Sequence, residues 1–116
     1  MCYIYLMDKW NIQINKYTQE FILSQDIDSQ AEIRQSLKLL SEYGLTLGIP
    51  HIKPLENKIY ELRVKTKDKG YRLLYFAYVN RTFIFTHGFI KKTQKTPRKD
   101  IDKAIKRMNE FIRGEK

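Results

Sequence analysis

Three consecutive runs decide how this chain folds: Ile59-Tyr-Glu-Leu-Arg-Val-Lys-Thr66, Tyr71-Arg-Leu-Leu-Tyr-Phe-Ala-Tyr-Val79 and Thr82-Phe-Ile-Phe-Thr-His87. The first alternates, with Tyr60, Leu62 and Val64 on one side and Glu61, Arg63 and Lys65 on the other, the period-two pattern of a strand. The other two are rich in aromatic and β-branched residues, which suit a pleated, packed surface. Short turns at Lys67–Gly70 and Asn80-Arg81 separate them, so they are expected to pair as consecutive antiparallel hairpins. With Lys67–Gly70 closing the first hairpin, Lys65 is expected opposite Arg72 and Val64 opposite Leu73. Cross-strand partners share a face, so Arg63, Lys65 and Arg72 would make one cationic surface.

Upstream, Asn11-Ile-Gln-Ile-Asn15 alternates and predicts an N-terminal strand. Tyr3, Ile4, Tyr5 and Leu6 either extend it or precede it, Met7 offers a second start, and Cys2 reads as an incidental thiol. Thr18 is the expected cap of a helix carrying Phe21, Ile22 and Leu23. Ser29-Gln-Ala-Glu32 fits a capping box, Ile33, Leu37 and Leu40 repeat at helical spacing, and Gly44 is a good stop. Residues 17–43 thus read as two helices, or as one interrupted near Asp26 to Asp28. Residues 45–58, with two prolines and a glycine, read as a connecting loop. Downstream, Thr96 is the expected cap and Pro97 the first position of a last helix, with Asp100 and Asp102 in its first turn. Ile101, Ala104, Ile105, Met108, Phe111 and Ile112 form its apolar stripe, and Gly114 ends it. The expectation is a single α+β domain over residues 1–116: an N-terminal strand, two helices, three consecutive antiparallel strands and a C-terminal helix. Most of the hairpin aromatics belong to its core, because alternation turns half of each strand inward.

Composition narrows the function. The chain has 116 residues and a formal charge of +9, but the charge is divided. Residues 1–50 hold four basic and six acidic residues, a net of −2, whereas residues 51–116 hold 18 basic and seven acidic, a net of +11. No acidic residue lies between Asp68 and Asp100. Such a concentrated field attracts polyanions. One cysteine excludes an internal disulfide framework and a Cys-based zinc site. No apolar run approaches the roughly 20 residues of a membrane span. Met1 to Trp10 lack a signal peptide's basic start and long apolar stretch. A cytoplasmic protein without membrane association is expected.

The motifs exclude several chemistries. The five glycines are scattered singly, so there is no phosphate loop. His51 and His87 are not spaced with carboxylates as metal ligands would be. No nucleophile elbow and no carboxylate pair is visible. Phosphodiester chemistry remains. RNA carries its own nucleophile, the 2′-hydroxyl, so a protein can cleave it by orienting that group, stabilising the phosphorane charge and moving two protons. Arginine supplies a bidentate fork for phosphate. Lysine can act in acid–base chemistry where neighbouring cations lower its pKa. No metal or other cofactor is required.

Three segments carry a resemblance: Pro54-Leu55 through Ile59-Tyr-Glu-Leu-Arg63, Gly70-Tyr-Arg-Leu-Leu-Tyr75, and His87-Gly-Phe-Ile-Lys-Lys-Thr-Gln-Lys-Thr-Pro97 with the helix after it. In their order and spacing, over roughly residues 35–112, they resemble the RelE/ParE superfamily of bacterial toxins, above all its HigB-like, phage-associated branch. The resemblance implies a compact RelE-like domain and the toxin of a type II toxin–antitoxin system. It implies an mRNA interferase, a ribosome-dependent endoribonuclease that cleaves messages at the A site and so inhibits translation. The partners implied are mRNA, the ribosomal A site and a HigA-like helix-turn-helix antitoxin, with which a hetero-oligomer can form.

On the same resemblance, Arg72 falls on the motif's arginine after Gly-Tyr and binds phosphate or stabilises the transition state. Arg63 takes the basic position of the preceding strand. Lys91 and Lys92 take the cationic positions at the end of the last strand, and Lys95 joins that surface. Lys65, Arg98 and Lys99 are expected to contact RNA. Two departures stand out. Glu61 sits where some members have another basic residue, and no tyrosine follows Tyr78. His87 is the candidate to replace that missing base, imidazole titrating near neutrality, while His51 in the Pro-rich loop is not taken as a site residue. Replacing Arg72 by alanine is expected to abolish activity without unfolding the chain. A ParE-like inhibitor of DNA gyrase and a non-enzymatic, nucleic-acid-binding phage accessory protein are the rival functions.

Overall fold

The computed structural model describes residues 9–114; Cys2, the Tyr3–Leu6 run and Met7 lie outside them. The order of elements is β1 (Asn11–Ile14), α1 (Lys16–Leu23), α2 (Ile27–Tyr43), β2 (Ile52–Pro54), β3 (Tyr60–Lys65), β4 (Gly70–Tyr78), β5 (Thr82–Ile90) and α3 (Arg98–Ile112). The strands form one sheet in the order β1-β5-β4-β3-β2. β3, β4 and β5 are the expected antiparallel hairpins, and β1 closes the far edge parallel to β5. Asn80 and Arg81 turn the second hairpin with φ of 60° and 52°, the left-handed pair that suits a tight hairpin turn.

Helices cover both faces of the sheet. On one face Ile22 of α1 and Ile33 and Leu40 of α2 pack against Leu62, Val64, Tyr71, Leu73, Tyr75, Phe83 and Phe85. On the other, Ala104 and Met108 of α3 pack against Ile59, Leu74, Phe76 and Ile84. This explains why β4 reads Tyr71-Arg-Leu-Leu-Tyr-Phe76 with no polar residue but Arg72: all six residues are buried, as in any strand covered on both sides. Trp10 seals the first layer by stacking on Phe83, with centroids 4.1 Å apart. Gly44 makes room for it, since a Cβ there would fall 2.4 Å from the indole nitrogen.

The structure corrects several local expectations. Both N-terminal caps lie three residues earlier. Asn15 caps α1 by accepting from the Thr18 N–H, and Asp26 caps α2 by accepting from the Ser29 N–H and hydroxyl. Thr18 and Ser29 are instead buried in the first turns, because polar residues at both positions offer two equally good capping patterns. Residues 45–58 are not wholly a loop. Ile52–Pro54 pairs antiparallel with β3 at the sheet edge, a place that tolerates proline's missing donor. Thr96 does not cap α3, whose N-cap is Pro97. β5 runs on through Gly88, Phe89 and Ile90. The first hairpin pairs Arg63 with Arg72 and Lys65 with Gly70, two residues from the expected register. An even offset preserves the faces, so Arg63, Lys65 and Arg72 do lie on one side.

Gly88 sits where α1 crosses β5. A Cβ there would fall 2.7 Å from Phe21 Cδ2 and 2.8 Å from Leu73 Cδ2. Gly88→Ala is therefore expected to destabilise the fold by about 1–3 kcal/mol through overpacking, read as a lower urea midpoint with unchanged slope.

Candidate functional site

The cationic face of β3 and β4 is organised by one acid. Glu61 is fully buried beneath α3's leading loop. Its Oε2 accepts from Arg63 Nε at 3.0 Å and from Arg72 Nη1 at 3.2 Å, and its Oε1 accepts from the Thr96 hydroxyl. Arg72 also donates to the Gln94 carbonyl at 3.3 Å and to Thr96 Oγ1 at 3.4 Å. One carboxylate thus faces two guanidiniums, which leaves a net positive charge. It also explains the acid in a basic strand: Arg72, 5% exposed, needs a counter-ion.

Beside this cluster opens a cleft of about 650 Å³, bounded by α2, the turn before β2, and the β3–β4 hairpin. Arg63, Lys65, Arg72 and Lys91 line it, and the hairpin turn adds Lys67 and Lys69. Lys91 is held at its mouth by the bond from its N–H to the Gly70 carbonyl, 2.7 Å. Lys65, Lys67, Lys69 and Lys91 are exposed, and Arg63 is half-buried. Glu32, Asp68 and His51 also line the cleft. Lys67, Lys69 and His51 were not among the site residues expected from sequence. The β2–β3 pairing that brings His51 there leaves no periodic trace in a three-residue strand.

The remaining candidates lie elsewhere. Lys92 and Lys99 line a second, smaller cleft of about 360 Å³ with Phe21, Phe89, Pro97 and Asp100. Lys95 is exposed on the loop between β5 and α3 and lines neither cleft, its carbonyl accepting from Thr93 Oγ1 at 2.7 Å. Arg98 is engaged: it forks onto Glu56 at 2.7 and 2.6 Å and onto Asp102 at 2.9 and 2.8 Å. That contact holds the carboxyl of Glu56 below its ordinary value, chiefly by the hydrogen bond from Arg98.

His87 is also engaged. Its Nε2 lies 2.7 Å from Asp100 Oδ1 and its Nδ1 lies 3.4 Å from Arg107 Nη1. A neutral ring satisfies both neighbours, donating to the carboxylate and accepting from the guanidinium. Burial pushes the imidazole pKa down, against the opposing pull of Asp100. Arg107 is itself fixed, donating to the Thr86 carbonyl at 2.7 Å and lying 4.1 Å over the Tyr17 ring. His87 lines neither cleft. Among the described residues no cluster of three His, Cys, Asp or Glu could hold a metal ion.

Two outcomes are expected. Arg72→Ala strips the buried Glu61 of its buried counter-charge and leaves it only the half-exposed Arg63, which should cost about 3 kcal/mol or more, measured by denaturant unfolding; a variant as stable as wild type would contradict the paired geometry. His87 binds a proton less readily in the native state than at its ordinary value of 6.5. The unfolded chain therefore protonates first as pH falls. His87's contribution is full above about pH 6.5 and shrinks as pH drops below it. Unfolding free energies measured across about pH 7.5 to 5.5 should decline for wild type and decline less for His87→Gln.

With the geometry in hand, the chain can be placed among known proteins. A family model described as phage-derived protein Gp49-like matches residues 20–109. The solved structure of the E. coli toxin RelE in its free state, a mutant with two arginines changed to alanine, superposes with a TM-score of 0.60. The match covers 86% of this chain and 98% of that one at 14% identity, a likeness of fold. No curated protein sequence matches significantly. The chain therefore belongs to the phage-derived Gp49-like family and shares the fold of the E. coli toxin RelE.

Proposed function

We propose that the protein is the toxin of a type II toxin–antitoxin pair and acts as a metal-independent, ribosome-dependent mRNA endonuclease of the HigB-like kind. The observation that carries this reading is the cleft in which Arg63, Lys65, Lys67, Lys69 and Lys91 converge beside the Glu61–Arg72 pair. Exposed lysines there suit a polyanion that enters from solvent. Lys65 and Lys91 flank the scissile phosphate, Arg63 offers its free guanidinium edge to a phosphate oxygen, and buried Arg72 holds Arg63's partner Glu61 in place while adding positive potential. In this reading the cations supply positioning and charge stabilisation. Family membership and the RelE fold support it. A HigA-like helix-turn-helix antitoxin neutralises the toxin in the cytoplasm, its capture hastened by acidic residues placed against these cations.

Induced expression should arrest growth, and co-expression of a neighbouring helix-turn-helix gene should relieve it. Mapping message ends after induction should find cuts at the ribosomal A site. DNA breaks with intact messages would favour gyrase inhibition, and binding to RNA without cleavage by translating ribosomes would favour an accessory protein. Lys65→Ala with Lys91→Ala should lose toxicity and flatten the salt dependence of RNA binding while unfolding at the wild-type midpoint. Both side chains are exposed, so this pair is a cleaner test than Arg72→Ala.

A further inference from the structure

We infer that His51 accepts the proton of the RNA 2′-hydroxyl in the lysine-lined cleft, an inference that rests on the endonuclease reading above. Its placement follows from strand register. β2 pairs with β3 as Ile52 with Leu62 and Lys53 with Glu61. The Arg63 N–H donates to the His51 carbonyl at 2.8 Å, which continues the same ladder by one residue and sets His51 opposite Arg63. Arg63 in turn faces Arg72 on β4. Direct cross-strand partners share a face, with Cβ atoms about 4.5–5.5 Å apart. His51, in the turn that leads into β2, thus sits beside Arg63, which pairs with Arg72, and all three line the cleft together with Lys65 and Lys91. The His51 backbone is held at its other end as well, its N–H donating to the Gly48 carbonyl at 3.0 Å. The side chain is exposed at the cleft.

The chemistry selects this residue. Guanidinium keeps its proton, and lysine keeps its own near neutral pH unless strongly perturbed. Imidazole both takes and returns a proton in that range. His87, the other histidine, has both ring nitrogens engaged and lines neither cleft. In the step assigned to His51, the imidazole nitrogen takes the 2′-hydroxyl proton as the 2′-oxygen bonds to the adjacent phosphorus. The bond from phosphorus to the 5′-oxygen breaks, and that oxygen takes a proton from the ammonium of Lys65 or Lys91. The products are a 2′,3′-cyclic phosphate and a 5′-hydroxyl end; nothing is oxidised or reduced and no co-reactant is consumed. Arg63, beside it, offsets the charge gathering on the phosphorane oxygens.

The test is cleavage of a defined message by the full chain on translating ribosomes. His51→Ala should lower kcat by about 100-fold or more, within the range of general acid–base catalysis, with KM little changed. His51→Gln, which keeps polarity and similar bulk, should be equally slow and unfold at the wild-type midpoint. Imidazole added to the reaction should restore part of the His51→Ala rate and leave wild type unchanged. Full activity of His51→Ala beside an active wild type overturns the inference and leaves the endonuclease reading standing. So does a slow variant that imidazole does not rescue, or a loss confined to KM. A wild type that cleaves no message overturns both.

Discussion

The buried carboxylate of Glu61 is the constraint on which the functional face depends. It lies in the second residue of β3, under the loop that leads into α3, and it binds groups from three places: Arg63 on its own strand, Arg72 on β4 and Thr96 on the loop. Removing two charges from water is expensive, and a buried pair is held only where hydrogen bonds saturate it. Here Arg63 and Thr96 also donate to the carboxylate, and Arg72 Nη1 reaches the Gln94 carbonyl and the Thr96 hydroxyl as well. The arrangement aligns β3 with β4 and seats the segment Thr93–Pro97 over them. Without Glu61, Arg72 would be an unpaired buried cation, and the loop would lose its anchor.

That constraint sorts the basic residues into two groups. The arginines are mostly committed. Arg63 and Arg72 hold Glu61, Arg98 clamps Glu56 to Asp102, Arg107 holds the Thr86 carbonyl and covers Tyr17, and Arg81 lies 4.8 Å over the Trp10 ring. Planar forks suit carboxylates, carbonyls and aromatic faces. The lysines at the β3–β4 hairpin remain exposed, as hydrated point charges should. Of the net +11 in residues 51–116, a share is thus internal wiring, and the share that faces a ligand is largely lysine.

The two histidines show how far a one-dimensional reading reaches. His87 stands in a recognisable segment and draws attention as a base, yet tertiary packing places Asp100 and Arg107 on its two nitrogens. His51 stands in a segment broken by Pro50 and Pro54, with no alternation to mark it. Only the pairing of a three-residue edge strand with β3 carries it to Arg63. The misplaced caps have a similar origin. Asn15 and Thr18, like Asp26 and Ser29, are three residues apart and both able to cap, and the choice falls on whichever residue lets the other be buried against the sheet.

The sequence by itself determined the order of the elements other than β2, the faces of β3, the apolar stripe of α3 and the asymmetry of charge. These are local or periodic properties: side-chain direction repeats every two residues in a strand and about every 3.6 in a helix, and charge is simply counted. The parallel docking of β1 on β5, the edge strand β2, the exact hairpin register and the burial of Arg72 were decided by the tertiary structure. Each depends on contacts between residues far apart in the chain, where the gain from burying apolar surface on both sides of β4 outweighs the cost of taking Glu61 and Arg72 out of water together. Whether a cation is a tether or a tool is settled by what lies opposite it, and that is known only when the strands are paired.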